Sequence, residues 1–408
     1  MGRAASPPSS GSAGSPESSK GGVAGTLVVS TVTTAIVVLP VFQLGSLGVL
    51  LRGDFGIDET VLGGLIAAFF LTSAVTAPIS GRLADRIGAK RSLLLGMGGS
   101  TINLVGLALA DQVWQLAVVV MVGGIANGLV QPAANLALSS VGQKLRGLMF
   151  GIKQSGVPIA TLLVGLMVPG VALAFGWRWA FGLSAFLAIV VIILVALTHF
   201  DESGVRSSDA PPERARVGPL VLLAVAAGLG IAAATSLGTF TVESAVARGT
   251  EIGLAGWLLA IGSVAGAGAR LLVGWKSDRS GTNPISLMVL LLGVGVFGYL
   301  LIAWAPNQVL IFAGVIIGYA FGWGWNGLLM YAVVLIAPRA PAGASGIAQV
   351  GMSTGAALGP LGFGAIASVG SYSIAWTAAA ACAAVSAILL ATLVLPRTKG
   401  AMAPLMTD

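Results

Sequence analysis

Long apolar segments recur along almost the whole chain and are separated by short polar stretches. A helix needs about 20 predominantly apolar residues to cross the hydrocarbon core of a bilayer. The pattern therefore predicts twelve membrane-spanning helices, called spans 1 to 12 below: 23–51, 60–80, 92–110, 113–139, 148–173, 178–199, 218–243, 252–275, 285–304, 309–337, 344–369 and 371–395. Several of them are rich in glycine, which lets helix backbones approach closely inside a membrane.

A short pattern, G-x3-D-R-x-G, occurs at the ends of spans 2 and 8. Its two copies are Gly81, Asp85, Arg86 and Gly88, and Gly274, Asp278, Arg279 and Gly281. A second match relates span 5, Gly151-Ile-Lys-Gln-Ser-Gly156, to span 11, Gly346-Ile-Ala-Gln-Val-Gly351. The two offsets, 193 and 195 residues, are nearly equal. Two independent matches of this kind predict parallel six-helix repeats.

The longest polar interruption between spans, 201–217, falls near the middle of the chain. We therefore predict an all-α polytopic membrane protein with twelve transmembrane helices in two pseudo-symmetric six-helix bundles. The predicted organisation is a disordered tail at 1–22, an N-terminal bundle at 23–200, a central loop at 201–217, a C-terminal bundle at 218–397 and a second tail at 398–408.

Composition agrees with a membrane protein, since 56% of residues are hydrophobic and only 9% are charged, against about a quarter charged in soluble domains. The net charge of +7 would suit a nucleic-acid-binding protein, but the cations are distributed unequally between the two sides of the predicted membrane segments. The loops on one side of the membrane contain three cations, Arg52, Arg178 and Arg248. The loops and tails on the other side contain sixteen: Arg3, Lys20, Arg82, Arg86, Lys90, Arg91, Lys144, Arg146, Arg206, Arg214, Arg216, Lys276, Arg279, Arg339, Arg397 and Lys399. The positive-inside rule then predicts cytoplasmic termini in a cell membrane and no nucleic-acid partner.

The loop after span 2 resembles the signature loop of the major facilitator superfamily of secondary transporters. The residues that carry the resemblance are Gly81, Asp85, Arg86, Gly88, Lys90 and Arg91. The weaker copy after span 8, the twelve spans and the central loop agree with it over about residues 23–397. The resemblance implies alternating access, in which two bundles rock about a central site and the signature loops latch the cytoplasmic side.

The chemistry of the repeated pattern fits such a latch. An aspartate can accept hydrogen bonds at a helix N-terminus, and an arginine can reach a carboxylate or a helix C-terminus. The alternative is that these charges only enforce the topology. The expected gating residues are Gly81, Asp85, Arg86, Gly88, Arg91, Gly274, Asp278 and Arg279.

Two cations, Lys153 and Arg270, fall inside predicted spans. They lie roughly 10 and 12 Å from the basic side at 1.5 Å per residue. In a fold of the implied type spans 5 and 8 meet between the bundles, so we expect both cations to face one cavity. The repeat aligns Lys153 with Ala348 and Arg270 with Ala77. Two convergent cations suggest an anionic ligand, although long side chains can also snorkel to the surface.

Neutral polar residues complete the predicted site. Asn127, Gln131 and Asn135 form a stripe on one face of span 4 because they recur every four residues. Such a stripe can equally join helix to helix. The expected substrate-binding residues are Lys153, Arg270, Asn127, Gln131, Gln154, Asn326, Tyr331 and Gln349.

The spacing Arg270-x3-Gly274 resembles monocarboxylate and oxalate transporters. We therefore predict a secondary active transporter, acting as a monomer, that moves a small organic anion of the carboxylate type. Proton-coupled drug or metabolite efflux is the alternative, although Val120 stands where the span-4 motif of drug antiporters carries arginine. A non-transporting membrane sensor and a lipid or sugar carrier remain open.

Chemistry beyond transport has few candidates. Glu243 is the only carboxylate at possible membrane depth. It either carries a coupling proton or is simply exposed to water at the membrane boundary. No nucleophile–base arrangement, phosphate loop or metal-ligand cluster is recognisable, so the sequence predicts no enzyme, cofactor or metal.

Overall fold

The computed structural model describes residues 16–139, 146–200, 217–337 and 341–394. These residues form helices and short connections, with no strand among them. Twelve of the described helices are long and apolar enough to cross a membrane, which confirms the predicted number of spans. The predicted tails and central loop lie outside the described residues, except where Pro16 and Val217 begin helices.

The N-terminal bundle contains spans 1 to 6. Spans 1 to 4 and 6 are Pro16–Ser46, Glu59–Ile87, Ala89–Leu109, Val113–Ser139 and Trp177–Leu197. Span 5 consists of Arg146–Gln154, Gly156–Met167, a π-helical turn at Val168–Ala172 and a last turn at Leu173–Phe175. Span 1 was predicted to reach residue 51, but its helix ends at Ser46 and a separate short helix, Gly48–Phe55, follows.

The C-terminal bundle contains spans 7 to 12. Spans 7 to 9, 11 and 12 are Val217–Ala247, Ile252–Ser280, Pro284–Trp304, Pro341–Val369 and Tyr372–Val394. Span 10 is irregular and passes from an α-helix, Gln308–Ile317, through a π-helical turn, Gly318–Gly322, and a 3₁₀ segment, Gly324–Leu328, to a final helix, Leu329–Ile336. The irregular part is glycine-rich, and glycine is a weak helix former.

The internal repeat is visible in how the two bundles pack. Gly156 of span 5 sits against the carbonyl of Thr31 in span 1, and Gly351 of span 11 sits against the carbonyl of Ala224 in span 7. A Cβ at either glycine would collide with that backbone. The matched glycines of the sequence therefore have the same role in both bundles, which is close approach of two helices.

The repeated G-x3-D-R-x-G pattern is mostly helical rather than a loop. Spans 2 and 8 continue to Ile87 and Ser280, beyond the predicted ends at 80 and 275. The last glycine of each copy makes the turn, because Gly88 has φ +85° and Gly281 has φ +62°. Backbone of this kind favours glycine. Gly81 is helical, and a Cβ there would meet its nearest neighbour, Pro132, only at 4.0 Å, so neither a turn nor a tight contact requires glycine at this position.

The bundles touch along the face opposite the basic residues. We call the side where spans 2 and 8 end the basic face and the other side the opposite face. At the opposite face the hydroxyls of Thr60 and Ser368 share a hydrogen bond of 2.8 Å, and Gly364 lies under the carbonyl of Glu59. Deeper, Gly63 meets the carbonyl of Pro360. Spans 2 and 11 therefore close this face.

Candidate substrate site

A cavity of about 110 Å³ lies between the two bundles. Its polar lining comes from both bundles, with Asn127, Gln131, Asn135, Lys153 and Gln154 on one side and Thr235, Asn326, Gln349 and Ser353 on the other. Its apolar lining includes four aromatic rings and two methionines: Phe42, Phe70, Phe150, Trp323, Met330 and Met352. A space shared by both bundles changes shape whenever they move relative to each other.

A chain of hydrogen bonds orients the polar wall of the N-terminal bundle. Asn127 Nδ2 donates to Ser73 Oγ at 2.8 Å, and Gln131 Nε2 donates to Asn127 Oδ1 at 3.4 Å. The side-chain oxygen of Gln131 is thereby left for Lys153, whose Nζ donates to it at 2.7 Å. The span-4 stripe thus both joins helices and lines the cavity.

Lys153 is a buried cation without a counter-charge among the described residues. It is only 3% exposed, and no acidic residue lines the cavity. The four salt bridges between described residues all lie at the opposite face. An ammonium group has three donors, and the bond to Gln131 uses one. The remaining donors and the unbalanced charge suit an anion.

The cavity is reached from the basic face. Span 4 runs toward that face, and its cavity residues become more exposed in the same direction: Asn127 is buried, Gln131 is half-buried and Asn135 is exposed. At the opposite face the contacts between spans 2 and 11 block access. In the part of the chain that the structure describes, the cavity therefore opens toward the basic face.

Arg270 lies behind the cavity wall and not in the lining. Its guanidinium donates a short hydrogen bond to the carbonyl of Gln154 in span 5 and another, at 3.4 Å, to the carbonyl of Trp323 in span 10. It also lies 5.4 Å from the centre of the Trp323 ring. Since both acceptor residues line the cavity, Arg270 holds the wall in place. The sequence predicts that both cations face one cavity. In this conformation Lys153 lines the cavity and Arg270 does not.

Six of the eight expected substrate-binding residues line the cavity, and two do not: Arg270 and Tyr331. Tyr331 belongs to the final helical part of span 10, and the irregular segment before it places Trp323 and Asn326 in the lining instead. The sequence did not single out Phe42, Phe70 or Met352. An apolar side chain facing a cavity leaves no signal in a segment that is apolar on every face.

Four of the eight expected gating residues, all from the first copy of the pattern and the residues after it, line a second cavity on the basic face. Asp85, Arg86, Gly88 and Arg91 line it, together with residues of span 4 and Phe200. Asp85 and Arg86 make no ion pair with the described residues. In the second copy, Arg279 lies 5.3 Å from the centre of the Trp275 ring, and the side chain of Asp278 lies outside the described part of the structure. Among the described residues, no ion pair therefore joins the two copies of the pattern.

Comparison with known proteins supplies a family. A family model described as Major Facilitator Superfamily matches residues 23–348 and 223–405. Among curated proteins, the Multidrug resistance protein B homolog of Mycobacterium tuberculosis is 28% identical over 200 residues, which cover 48% of this chain and 34% of that protein. Quinolone resistance protein NorA of Staphylococcus aureus is 29% identical over 146 residues, covering 34% and 38%. The matched parts thus span about a third of these relatives.

A solved structure resembles most of the chain. The human organic anion transporter MFSD10 (TETRAN) aligns with a TM-score of 0.68 and 16% sequence identity, covering 92% of this chain and 100% of that one. At this identity the likeness concerns the fold of two six-helix bundles.

Proposed function

Because the chain belongs to the major facilitator superfamily, we propose that it moves a small organic anion of the carboxylate type across the cell membrane by alternating access. In this proposal the basic face is cytoplasmic, as the distribution of cations indicates. The conformation open on the basic face is then the inward-open state. Transport proceeds when the bundles rock so that the opposite face opens and the basic face closes.

The observation that carries the proposal is the unbalanced charge of Lys153. Burying a cation without a partner is costly, and ionisable groups at membrane depth mark substrate or ion pathways. A carboxylate entering the cavity would accept hydrogen bonds from the free N–H groups of Lys153 and offset the cost of burying its charge. In this proposal Gln131 orients the ammonium group, and Asn127, Gln154, Asn326 and Gln349 offer further hydrogen bonds.

Arg270 supports the anion from behind the wall. Its positive charge lies beside Gln154 and Trp323, and no acidic residue of the lining cancels it. An arginine in this position favours negative charge in the cavity without touching it, because its charge acts through the buried protein wall, where the effective dielectric constant is lower than in water. Tyr331, which does not line the cavity in this conformation, is proposed to reach it only after the bundles move.

The size of the cavity favours a small solute. Drug-sized ligands occupy pockets of about 300 to 1,000 Å³, whereas this cavity has about 110 Å³. A carboxylate with a short carbon skeleton fits that space, with the charge at Lys153 and the carbon atoms against Phe42 and Trp323.

Drug or metabolite efflux is the second candidate, and two observations favour it. The curated relatives are named as resistance proteins for several drugs or for quinolones. The apolar lining, with four aromatic rings and two methionines, could pack against a flat hydrophobic molecule, since methionine adapts to varied shapes. Expansion of the cavity during transport would be needed to hold it.

Reconstitution separates the two candidates. Purified protein in proteoliposomes is assayed for uptake of a panel of radiolabelled mono- and dicarboxylates and, in parallel, of fluorescent cationic dyes. The anion proposal predicts saturable carboxylate uptake that unlabelled carboxylates compete away. Transport of the dyes without any carboxylate uptake would instead support efflux.

A further inference from the structure

Four residues at the opposite face form a charged cluster that joins the two bundles. Arg52 and Glu59 belong to the N-terminal bundle, and Glu243 and Tyr372 belong to the C-terminal bundle. We call them the Arg52 cluster. Arg52 forms a close ion pair with Glu59, and its Nε lies 3.4 Å from Glu243 Oε1. The Tyr372 hydroxyl donates to Glu59 Oε1 at 3.2 Å.

The two carboxylates of the cluster have different surroundings. The side chains of Arg52 and Glu59 are 31% and 15% exposed, whereas that of Glu243 is 1% exposed. Neither oxygen of Glu243 accepts a hydrogen bond from the described residues, and Arg52 Nε is equally without one. A tyrosine hydroxyl has a single proton to donate, and that of Tyr372 goes to Glu59. Among the described residues, Glu243 is therefore a buried carboxylate that has one cationic neighbour, Arg52, and no hydrogen bond to it.

The protein provides a dedicated space for this carboxylate. A Cβ at Gly48, the first residue of the short helix, would lie 2.7 Å from Glu243 Oε1 and 2.7 Å from Leu62 Cδ2. No larger residue fits there without a shift. The Glu243 side chain of one bundle thus enters a notch of the other bundle, at the place where the two must separate for this face to open.

A single cation shared by two carboxylates makes the contact between bundles sensitive to protonation. When Glu243 is ionised, Arg52 attracts it across the interface while remaining paired with Glu59. When Glu243 is protonated, that attraction disappears, and Arg52 keeps Glu59 in its own bundle. The buried carboxyl also no longer carries a charge that lacks hydrogen bonds, a charge that is costly to bury.

We propose that Glu243 is a proton-binding site and that loading it with a proton releases the opposite face, so that this carrier couples a proton to its conformational cycle. The inference rests on the proposed transport function. The titratable and charged groups that face Glu243 are Arg52 from the short helix, Glu59 from span 2 and Tyr372 from span 12. Acid therefore favours the state open on the opposite face, and alkali favours the state described here.

Distance measurements between spin labels test this without knowledge of the substrate. Cys382 is replaced by alanine, and labels are attached at Trp114→Cys and Val309→Cys, which are exposed positions where spans 4 and 10 begin at the opposite face. Full-length protein in lipid nanodiscs is measured by electron double resonance from about pH 8.5 to about pH 4.5, down to the usual pKa of glutamate. The parent is expected to shift toward longer distances as the pH falls.

Two variants assign the response to its residue. Glu243→Gln should show the long distance at every pH, whereas Glu59→Gln, which alters the other partner of Arg52, should keep the response to pH. If Glu243→Gln does not accumulate as folded protein, Arg52→Gln reports the same release and must show the long distance throughout.

Three results would overturn the inference: a distance between the labels that does not change with pH in the parent, a parent-like pH response in Glu243→Gln, and a short distance in Arg52→Gln at high pH. None of these results depends on carboxylate uptake, so the uptake assay tests the transport proposal independently.

Discussion

The guanidinium of Arg270 donates a hydrogen bond to the backbone carbonyl of Gln154, so that span 8 of one bundle is tied to span 5 of the other directly behind the cavity wall. Gln154 lines the cavity beside Lys153. The two intramembrane cations therefore have different surroundings. Lys153 faces the space that a solute would occupy, and Arg270 fixes the backbone that surrounds it.

This tie predicts a loss of stability when Arg270 is removed. Arg270→Ala removes the guanidinium donor from the carbonyl of Gln154, which costs about 1–3 kcal/mol for a buried group, and leaves the carbonyl of Trp323 with the N–H of Asn326 at 3.4 Å. Arg270→Lys keeps the charge but loses the forked geometry and should lie between alanine and the parent. Thermal unfolding of purified protein in detergent measures the effect. An unchanged midpoint in Arg270→Ala would show that the tie contributes nothing.

Gln131 is expected to act through Lys153. Gln131→Glu places a carboxylate at the oxygen that now lies 2.7 Å from Lys153 Nζ, so the ammonium is neutralised and should bind carboxylates roughly tenfold more weakly or worse. Gln131→Met removes the hydrogen bond without adding charge and should have a smaller effect. The KM for uptake of the best carboxylate substrate separates the two. Equal KM values would contradict the role assigned to the charge.

The spans and their duplication could be predicted from the sequence, because each span must be apolar over its length and because both copies of the repeated pattern survive. Glycines in the sequence indicate the turns at Gly88 and Gly281. The apolar pattern does not show where the helices of spans 2 and 8 end, because a helix can continue through charged residues beyond the bilayer. For the site, Lys153 and the span-4 amides stood out as polar groups in apolar segments. The direction in which Arg270 points depends on the irregular path of span 10, which no local pattern encodes.

The glycines of the repeated pattern should differ in their tolerance of substitution. Gly88 has φ +85° and ψ 162°, a region that is nearly restricted to glycine, so Gly88→Ala should cost about 1–3 kcal/mol. Gly81 is helical, and an added Cβ would lie 4.0 Å from Pro132, its nearest neighbour, so Gly81→Ala is the matched control that should be neutral or slightly stabilising. Thermal unfolding of both variants decides the matter. Equal destabilisation would mean that the turn is not the reason for the glycine.

A covalent link at the opposite face should stop transport. Thr60 and Ser368 lie in different bundles with their hydroxyl oxygens 2.8 Å apart, a proximity that suits a disulfide. In a Cys382→Ala background, Thr60→Cys with Ser368→Cys should lose nearly all uptake after oxidation and regain it after reduction. The single Thr60→Cys variant is the control and should ignore the oxidant. Full transport by the linked protein would mean that this face does not open.

The central claim is that Lys153 binds the anion, and the most direct test is carboxylate uptake by Lys153→Met and Lys153→Arg in proteoliposomes. Methionine keeps much of the length and removes the charge, whereas arginine keeps the charge. Because a hydrogen bond to a charged group contributes about 1.5–3 kcal/mol, kcat/KM should fall roughly 10- to 100-fold in Lys153→Met and considerably less in Lys153→Arg. Carboxylate uptake by Lys153→Met at the rate of the parent would contradict the account.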